Sequence, residues 1–348
     1  MPQKEIIVAS APAAIAVTGD TSDISGKGGT LTLGIDGPNP TGEGGLRAYA
    51  MVTPSGGAAT TIRVENTGEV TADTFFGAGR LLEIAGYRDN PGVIITLNTL
   101  IPPKLGLGGA ASQLVSLLFA LDSFFGRKRP SEELAEVAQR ATLRPGQVHG
   151  YQKPYGATYG GVRYFGFPRK LTGLWGKGVG GIFDEPYAVV SEARDEQWRA
   201  LGARILVAIP RDLDLVSGEI NATIAERYRQ GDEATVDTMD RKTFIAQLAH
   251  QRLVNGDGRG FWMLVESDTS IMEQWGLITQ EHKKIVRIAK EHGAYAAKPA
   301  STGGAVIVFC PEDHEQAMAA ALAEVSEKVY RANIARGVRL EERWPFDE

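Results

Sequence analysis

A chain of 348 residues with 43% apolar and 23% charged residues has the composition of a folded globular protein, which excludes bulk disorder. Lys plus Arg total 37 against 42 for Asp plus Glu, a net charge of −5, which argues against a general nucleic-acid binder. One cysteine, Cys310, excludes an internal disulfide and a thiolate metal cluster, and fits a cytoplasmic protein. Residues 6–17 are mostly small and apolar, but Glu5 follows Lys4 and Pro12 interrupts the run. That pattern reads as a buried strand running into a loop rather than a signal peptide. No apolar run reaches the ~18 residues of a membrane-spanning helix.

Glycines cluster in the first half, at 26–29, 42–45 and 56–57, and punctuate short β-rich runs. Strands are predicted at 5–9, 30–35, 60–65 and 93–97. The first long helix follows the glycine-rich stretch 105–109, with Leu114, Leu117, Leu118, Leu121 and Phe125 at helical spacing. A second begins near Ser131, a candidate cap, with Glu132 and Glu133 suited to the positive end of its dipole. Further on, a strand is expected at 204–209 and helices near 219–230, 239–254 and 279–292, the last closed by Gly293. Residues 305–310 read as an apolar strand, and a helix from about 313 to 335 closes the chain. Trp262 and Trp275 lie in helical texture and read as packing residues. Strands and helices mix without a regular βαβ period, so the expected class is α+β in two lobes, residues 1–188 and 189–348.

Three glycine-containing segments stand out: Ala11 to Asp23, Pro102 to Ser112, and Lys298 to Gly304. In the middle one a glycine-rich loop runs straight into a helix. Glycines let backbone approach an anion, and free amides at a helix start point at it. The spacing is neither a P-loop nor the dinucleotide fingerprint. Phosphate binding and a plain tight turn before a core helix both account for this loop on its own.

Together, and in this order, the three segments resemble the motifs of the GHMP kinase superfamily. A fourth stretch, Gly150-Tyr151-Gln152-Lys153-Pro154-Tyr155-Gly156-Ala157-Thr158-Tyr159-Gly160-Gly161, is similar to the Gly-x-Gln-Asp-Gln-Tyr-Ala-Ala-Ala-Phe-Gly-Gly of its heptose-kinase branch. The resemblance implies a two-lobed fold with a β-rich N-terminal lobe and an α/β C-terminal lobe. It also exposes departures. Lys153 stands where the family's kinases keep the Asp that handles the substrate hydroxyl, and Ala14 replaces a basic partner. Gly109 and Ala110 replace the serine pair that serves Mg²⁺, and Thr142 falls near the usual metal-binding Glu. Losing general acid–base help alone costs roughly 10²–10⁴-fold.

Such an altered catalytic set on an intact scaffold resembles β-ribofuranosylaminobenzene 5′-phosphate synthase and the C-nucleoside synthases. That resemblance implies transfer of a 5-phosphoribosyl group from phosphoribosyl pyrophosphate to an aromatic carboxylate, with loss of CO₂ and pyrophosphate. An ATP-dependent sugar kinase close to the heptose kinases is the alternative, and a non-catalytic anion-binding relative is the third reading. Under the first, Lys104, Arg144, His149, Lys153 and Lys298 supply positive or protonatable groups beside the motif loops. Phosphate contacts are expected from Lys104, Gly106, Gly108, Gly109, Ser112, Arg144, Lys298, Ser301, Thr302 and Gly303. Lys153, His149 and Asp23 form the expected catalytic set, Asp23 holding ribose hydroxyls and His149 shuttling a proton. Tyr155 and Tyr159 are expected to stack on the acceptor ring. Mg²⁺ follows from the phosphate ligand. The partners are a phosphorylated small molecule and a small acceptor, with no nucleic acid or membrane; a homodimer is allowed.

Overall fold

Alternating β-branched and small residues build most of the strands, and they join into one twelve-stranded mixed sheet. The computed structural model describes residues 6–25, 28–37, 45–55, 60–64, 72–88, 92–143, 148–167, 188–211 and 217–346. The glycine turns expected at 26–27, 42–44 and 56–57, and Arg144, lie outside these residues. In chain order the strands are β1 (Ile7–Thr18), β2 (Gly28–Asp36), β3 (Arg47–Pro54), β4 (Thr61–Val64), β5 (Val93–Thr99), β6 (Val162–Phe167), β7 (Val189–Ala193), β8 (Ala203–Ile209), β9 (Ala296–Pro299), β10 (Val306–Pro311), β11 (Lys328–Ile334) and β12 (Arg339–Glu341). The α-helices are α1 (Ala72–Ile84), α2 (Gly109–Phe124), α3 (Ser131–Thr142), α4 (Gln152–Tyr159), α5 (Asp195–Arg199), α6 (Ser217–Arg229), α7 (Glu233–Val254), α8 (Gly258–Gln274), α9 (Gln280–Glu291) and α10 (Glu315–Val325).

The main path runs β4-β5-β3-β1-β2-β11-β8-β10-β9, with β12 added to β1 and β6 and β7 added beyond β2. This is the expected α+β class. One core packs Ala50, Ile95 and Leu97 of the sheet against Leu114, Leu118, Leu121 and Val137 of α2 and α3. A second packs Leu31, Leu33, Val207 and Phe309 against Leu253, Phe261 and Trp262, so Trp262 is a packing residue. A third seats Ile285 of α9 and Met318 of α10 on Leu206 and Val308.

Three expectations need correction. The strand expected at 5–9 does not stop there: as the reading of residues 6–17 as a buried strand running into a loop implied, β1 continues to Thr18, a turn carries Gly19 to Thr21, and a 3₁₀ turn follows at Ser22–Ser25. Pro12 is tolerated inside β1 because the strand changes partner there. It pairs with β3 through Pro12 and with β2 from Ala13. The missing N–H falls at the hand-over. Second, Ser131 does not cap α3; it is the first helical residue, after Pro130. Third, α10 stops at Val325. Ser326 turns extended, and β-prone residues from Val329 to Ile334 then form β11 between β8 and β2.

Candidate functional site

The loop after β5 enters α2 through Gly108, whose φ of 79° and ψ of 21° are left-handed and which offers no side-chain cap. The first amides of α2 therefore lack the usual side-chain acceptor. Ala14 N–H donates to the Leu107 carbonyl at 3.0 Å, tying the loop to β1. Ser112 Oγ donates to the carbonyls of Pro12 at 2.7 Å and Gly108 at 3.0 Å. The hydroxyl is thus turned inward to fasten the helix, not outward to a phosphate.

The middle and last motif loops form one surface. Gly304 N–H donates to Lys104 O at 3.3 Å and Ala305 N–H to Leu105 O at 3.2 Å. A Cβ on Gly106 would sit 1.9 Å from the Ala300 carbonyl oxygen, and one on Gly303 would sit 2.1 Å from the Gly106 nitrogen. Only glycine at both positions lets the backbones touch. His282 braces this contact from α9, its Nε2 lying 3.1 Å from Gly304 O. The Lys104 side chain is exposed. Ser301 has a φ of 61° and is nearly buried, and Thr302 Oγ1 lies 3.3 Å from Asn221 Oδ1.

Lys153, in the first turn of α4, lies over this loop. A Cβ on Gly108 would meet its Cβ and Cδ at 3.4 Å, and its Nζ donates to Ala14 O at 3.0 Å. Burial, helped by the nearby Lys298 ammonium, pushes Lys153 down to about 8 against the pull of Asp20 and Asp23. Asp23 is fully buried. Its Oδ2 accepts the Gln152 N–H at 2.7 Å, while Oδ1 has no partner. Burial pushes this carboxyl up to about 6, although the Gln152 amide and Lys153 pull it the other way. A Cβ on Gly150 would lie 2.2 Å from Asp23 Oδ2, which explains the glycine opening this motif. His149 is half-buried beside it, and its carbonyl accepts Gln139 Nε2 at 2.5 Å.

Lys298 is not at the loop. It is fully buried, and its ammonium donates to Val17 O at 3.1 Å, Asp20 Oδ1 at 3.0 Å and Asp268 Oδ2 at 2.9 Å. Three acceptors use all three protons of an ammonium, leaving none for a phosphate. Lys242 of α7 completes the group, donating to Asp20 Oδ1 at 3.1 Å and Asp268 Oδ1 at 2.8 Å. All four side chains are 0% exposed. Burial opposes ionisation of Asp20, but Lys242 and Lys298 outweigh it and hold the carboxyl well below its ordinary range. Sequence reasoning missed Lys242 and Asp268. Their signal was a charge on an otherwise apolar helical stripe: Met239, Lys242, Ala246, Ala249, Leu253 in α7, and Phe261, Val265, Asp268, Met272 in α8.

The tyrosines are placed for packing. Tyr155 is 0% exposed, donates to Glu136 at 2.6 Å and packs on Phe165 and Phe167. Tyr159 stacks on Tyr155 with centroids 6.2 Å apart and lies under the Arg163 guanidinium. Tyr155 thus has no exposed face, and the Tyr159 ring is taken up by Tyr155, Phe165 and Arg163. Thr142, near the usual metal-ligand position, donates its hydroxyl to Gln139 O at 2.6 Å. Among the described residues no group of three or more His, Cys, Asp or Glu could hold a metal ion.

A glycine loop entering a buried helix, a second glycine loop packed on it and the Lys153 side chain beside Gly108 define the geometry of this site in an α+β fold. Two sequence profiles match the chain. The profile of the GHMP kinases N terminal domain matches residues 74–161, and that of GHMP kinases C terminal matches 273–328. The mevalonate kinase of Methanothermobacter thermautotrophicus is 27% identical over 239 residues, 67% of this chain and 69% of that protein. Glucuronokinase 1 of Arabidopsis thaliana is 23% identical over 227 residues, 64% of this chain and 58% of that protein. Lactococcus lactis galactokinase, crystallised with galactose, superposes with a TM-score of 0.73 at 16% identity, covering 97% of this chain and 95% of that one. The chain thus has the GHMP kinase fold and is similar in sequence to GHMP kinase domains over residues 74–161 and 273–328.

Proposed function

We propose that the protein is an ATP-dependent phosphotransferase acting on a small hydroxylated acid. The observation that carries this reading is the Lys153 ammonium set beside Gly108, where the α2 amides have no side-chain cap. The named relatives support it, being kinases, and mevalonate and glucuronate are both hydroxy acids. Phosphates would rest on the backbone of Gly106 to Gly109, with Gly303 closing the cradle. Lys153 offsets the charge that spreads over the transferred group, as phosphoryl transfer demands. Mg²⁺ would enter on the nucleotide.

Asp23 supplies the acid–base function that Lys153 cannot. Its Oδ1 is the carboxylate oxygen left without a partner beside Lys153, and it is positioned to accept the acceptor's O–H. As that oxygen bonds to the γ-phosphorus and ADP leaves, the proton passes to Asp23. A carboxyl near 6 is ionised at neutral pH yet basic enough to take it.

Phosphoribosyl transfer is the second reading. What favours it is Lys153 itself, a cation where the resemblance places a proton acceptor. The two separate in thermal shift. Mg²⁺ with ATP should raise the melting temperature as RT ln(1 + [L]/Kd), and Mg²⁺ with phosphoribosyl pyrophosphate should not. Stabilisation by phosphoribosyl pyrophosphate alone would overturn the kinase reading. Lys153→Ala should lower kcat/KM for the nucleotide about 10²–10³-fold, as loss of one charge-stabilising donor does. Its melting temperature should hold, because the ammonium it removes is already disfavoured by burial.

A further inference from the structure

One buried imidazole is tied to the last motif loop, and its two nitrogens have fixed roles. His282 lies in the first turn of α9 and is 0% exposed. Thr279 N–H donates to its Nδ1 at 3.2 Å, and its own backbone N–H donates to Thr279 Oγ1 at 3.3 Å. Its Nε2 lies 3.1 Å from Gly304 O. An amide N–H only donates and a carbonyl oxygen only accepts, so one form of the ring satisfies both partners: neutral, with its hydrogen on Nε2. The other neutral tautomer and the imidazolium each set a ring N–H against the Thr279 N–H. Burial also disfavours the charged ring. A capping box ordinarily carries Glu or Gln at this position. An ionised Glu would close the helix end equally well but could not donate to Gly304.

The Gly304 bond reaches the phosphate loop in two steps. Gly304 C=O and Ala305 N–H belong to one planar peptide, so holding the carbonyl aims the N–H. That N–H donates to Leu105 O at 3.2 Å, and Gly304 N–H donates to Lys104 O at 3.3 Å. Leu105 O shares its own peptide with Gly106 N, the atom that a Cβ on Gly303 would meet at 2.1 Å. Hydrogen bonds chained through a buried path strengthen one another. We propose that His282, held as its neutral Nε2–H tautomer, is a positioning residue that sets the Gly304–Ala305 peptide and, through it, the Leu105–Gly106 peptide of the phosphate loop. Its effect on the nucleotide rests on the phosphotransferase reading; the setting of the two peptides does not.

His282→Leu keeps an apolar group of similar size and removes both side-chain bonds. Amide hydrogen exchange at Ala305 should speed up about tenfold, the scale of one lost hydrogen bond, while residues 307–310 of β10 keep their rates. KM for Mg²⁺–ATP should rise about tenfold with kcat little changed, the split expected when ground-state and transition-state binding weaken together. His282→Gln offers an oxygen to Thr279 and an N–H to Gly304, and should return both quantities toward wild type. If the Leu variant does not fold, His282→Asn takes its place, because it can still accept from Thr279 but is too short to reach Gly304. Faster exchange confined to the loop, a raised KM and rescue by Gln support the proposal. Unchanged exchange at Ala305, exchange that rises equally through β10, or a folded Gln variant that behaves like Leu overturns it. An unchanged KM in an active variant whose Ala305 exchanges faster overturns the reach to the phosphate loop. Nitrogen NMR of the wild-type ring is a separate check: the opposite tautomer, or a charged ring at neutral pH, overturns the proposal outright. A wild-type chain that neither binds nor turns over Mg²⁺–ATP would sink the proposed activity, while the exchange and NMR measurements would still decide how the peptides are held.

Discussion

Two charged regions lie along the same stretch of chain and are built on opposite terms. Asp20 sits in a group where two ammoniums meet two carboxyls and every cation is bonded, both ammoniums donating to Asp20 Oδ1 while Oδ2 has no partner. Asp23, three residues on, is equally buried but keeps one carboxylate oxygen unpartnered beside a half-buried lysine. In the first region the charges answer one another, so removing one exposes the rest. In the second the protein holds charges it has not satisfied, which is the state a binding site adopts before its ligand arrives. The lesson is that burial alone does not separate the two carboxyls, each of which keeps one oxygen without a partner; the ammoniums bonded to it do, two on Asp20 and, among the described residues, none on Asp23.

The sharpest way to break this contrast is to remove a charge from each region. Lys242→Met should destabilise the fold by about 3–5 kcal/mol, because it strands two buried carboxyls on one lysine. Denaturant unfolding measures it, and a loss below about 1 kcal/mol would mean the cluster is not self-supporting. Asp23→Asn should do the reverse. Burial raises this carboxyl in the folded state, so the folded protein binds more protons than the unfolded chain between about pH 4 and 6, and stability falls as pH rises through that window. Removing the ionisable group should therefore stabilise the protein by about 3 kcal/mol at neutral pH and by nothing below pH 4. A gain that does not vary with pH would show that Asp23 is not held against its solvation. The smallest effect belongs to the shared backbone surface. Gly303→Ala pushes a methyl into the Gly106 backbone and should cost about 1–3 kcal/mol while weakening nucleotide binding. Isothermal titration with Mg²⁺–ATP checks the second half, and unchanged affinity would detach the last motif loop from the site.

The sequence reading reached the architecture because its signals are local. The Leu114 to Leu121 spacing, the glycines at 106 and 108 and the apolar run before Cys310 each announce their own element. It also brought Lys153 and Asp23 to one place, since both lie in motifs whose order is readable. It failed where partners are distant in sequence. Lys298 looked like a phosphate ligand because its neighbours are a glycine loop, yet its partners are 278 and 30 residues away. Tyr155 looked like a stacking surface because it follows Lys153, yet helical geometry turns it to the opposite face, onto Glu136. The closing strand was read as helix because α10 and β11 share an apolar texture, and only the open edges of β8 and β2 decide between them.

That strand carries one more implication. β11 is the link between β8 and β2, joined to the latter through only Asn333↔Asp36 and Ile334↔Ile35, and β12 then adds to β1. During synthesis, therefore, the strand that joins the two halves of the sheet is made after every other strand but β12. A nascent chain whose ribosome has not yet released residue 334 can assemble β1 to β3 but not join them to β8. Its exposed strand edges must wait for a pairing more than 290 residues away, a delay that contact order translates into slow, chaperone-sensitive maturation.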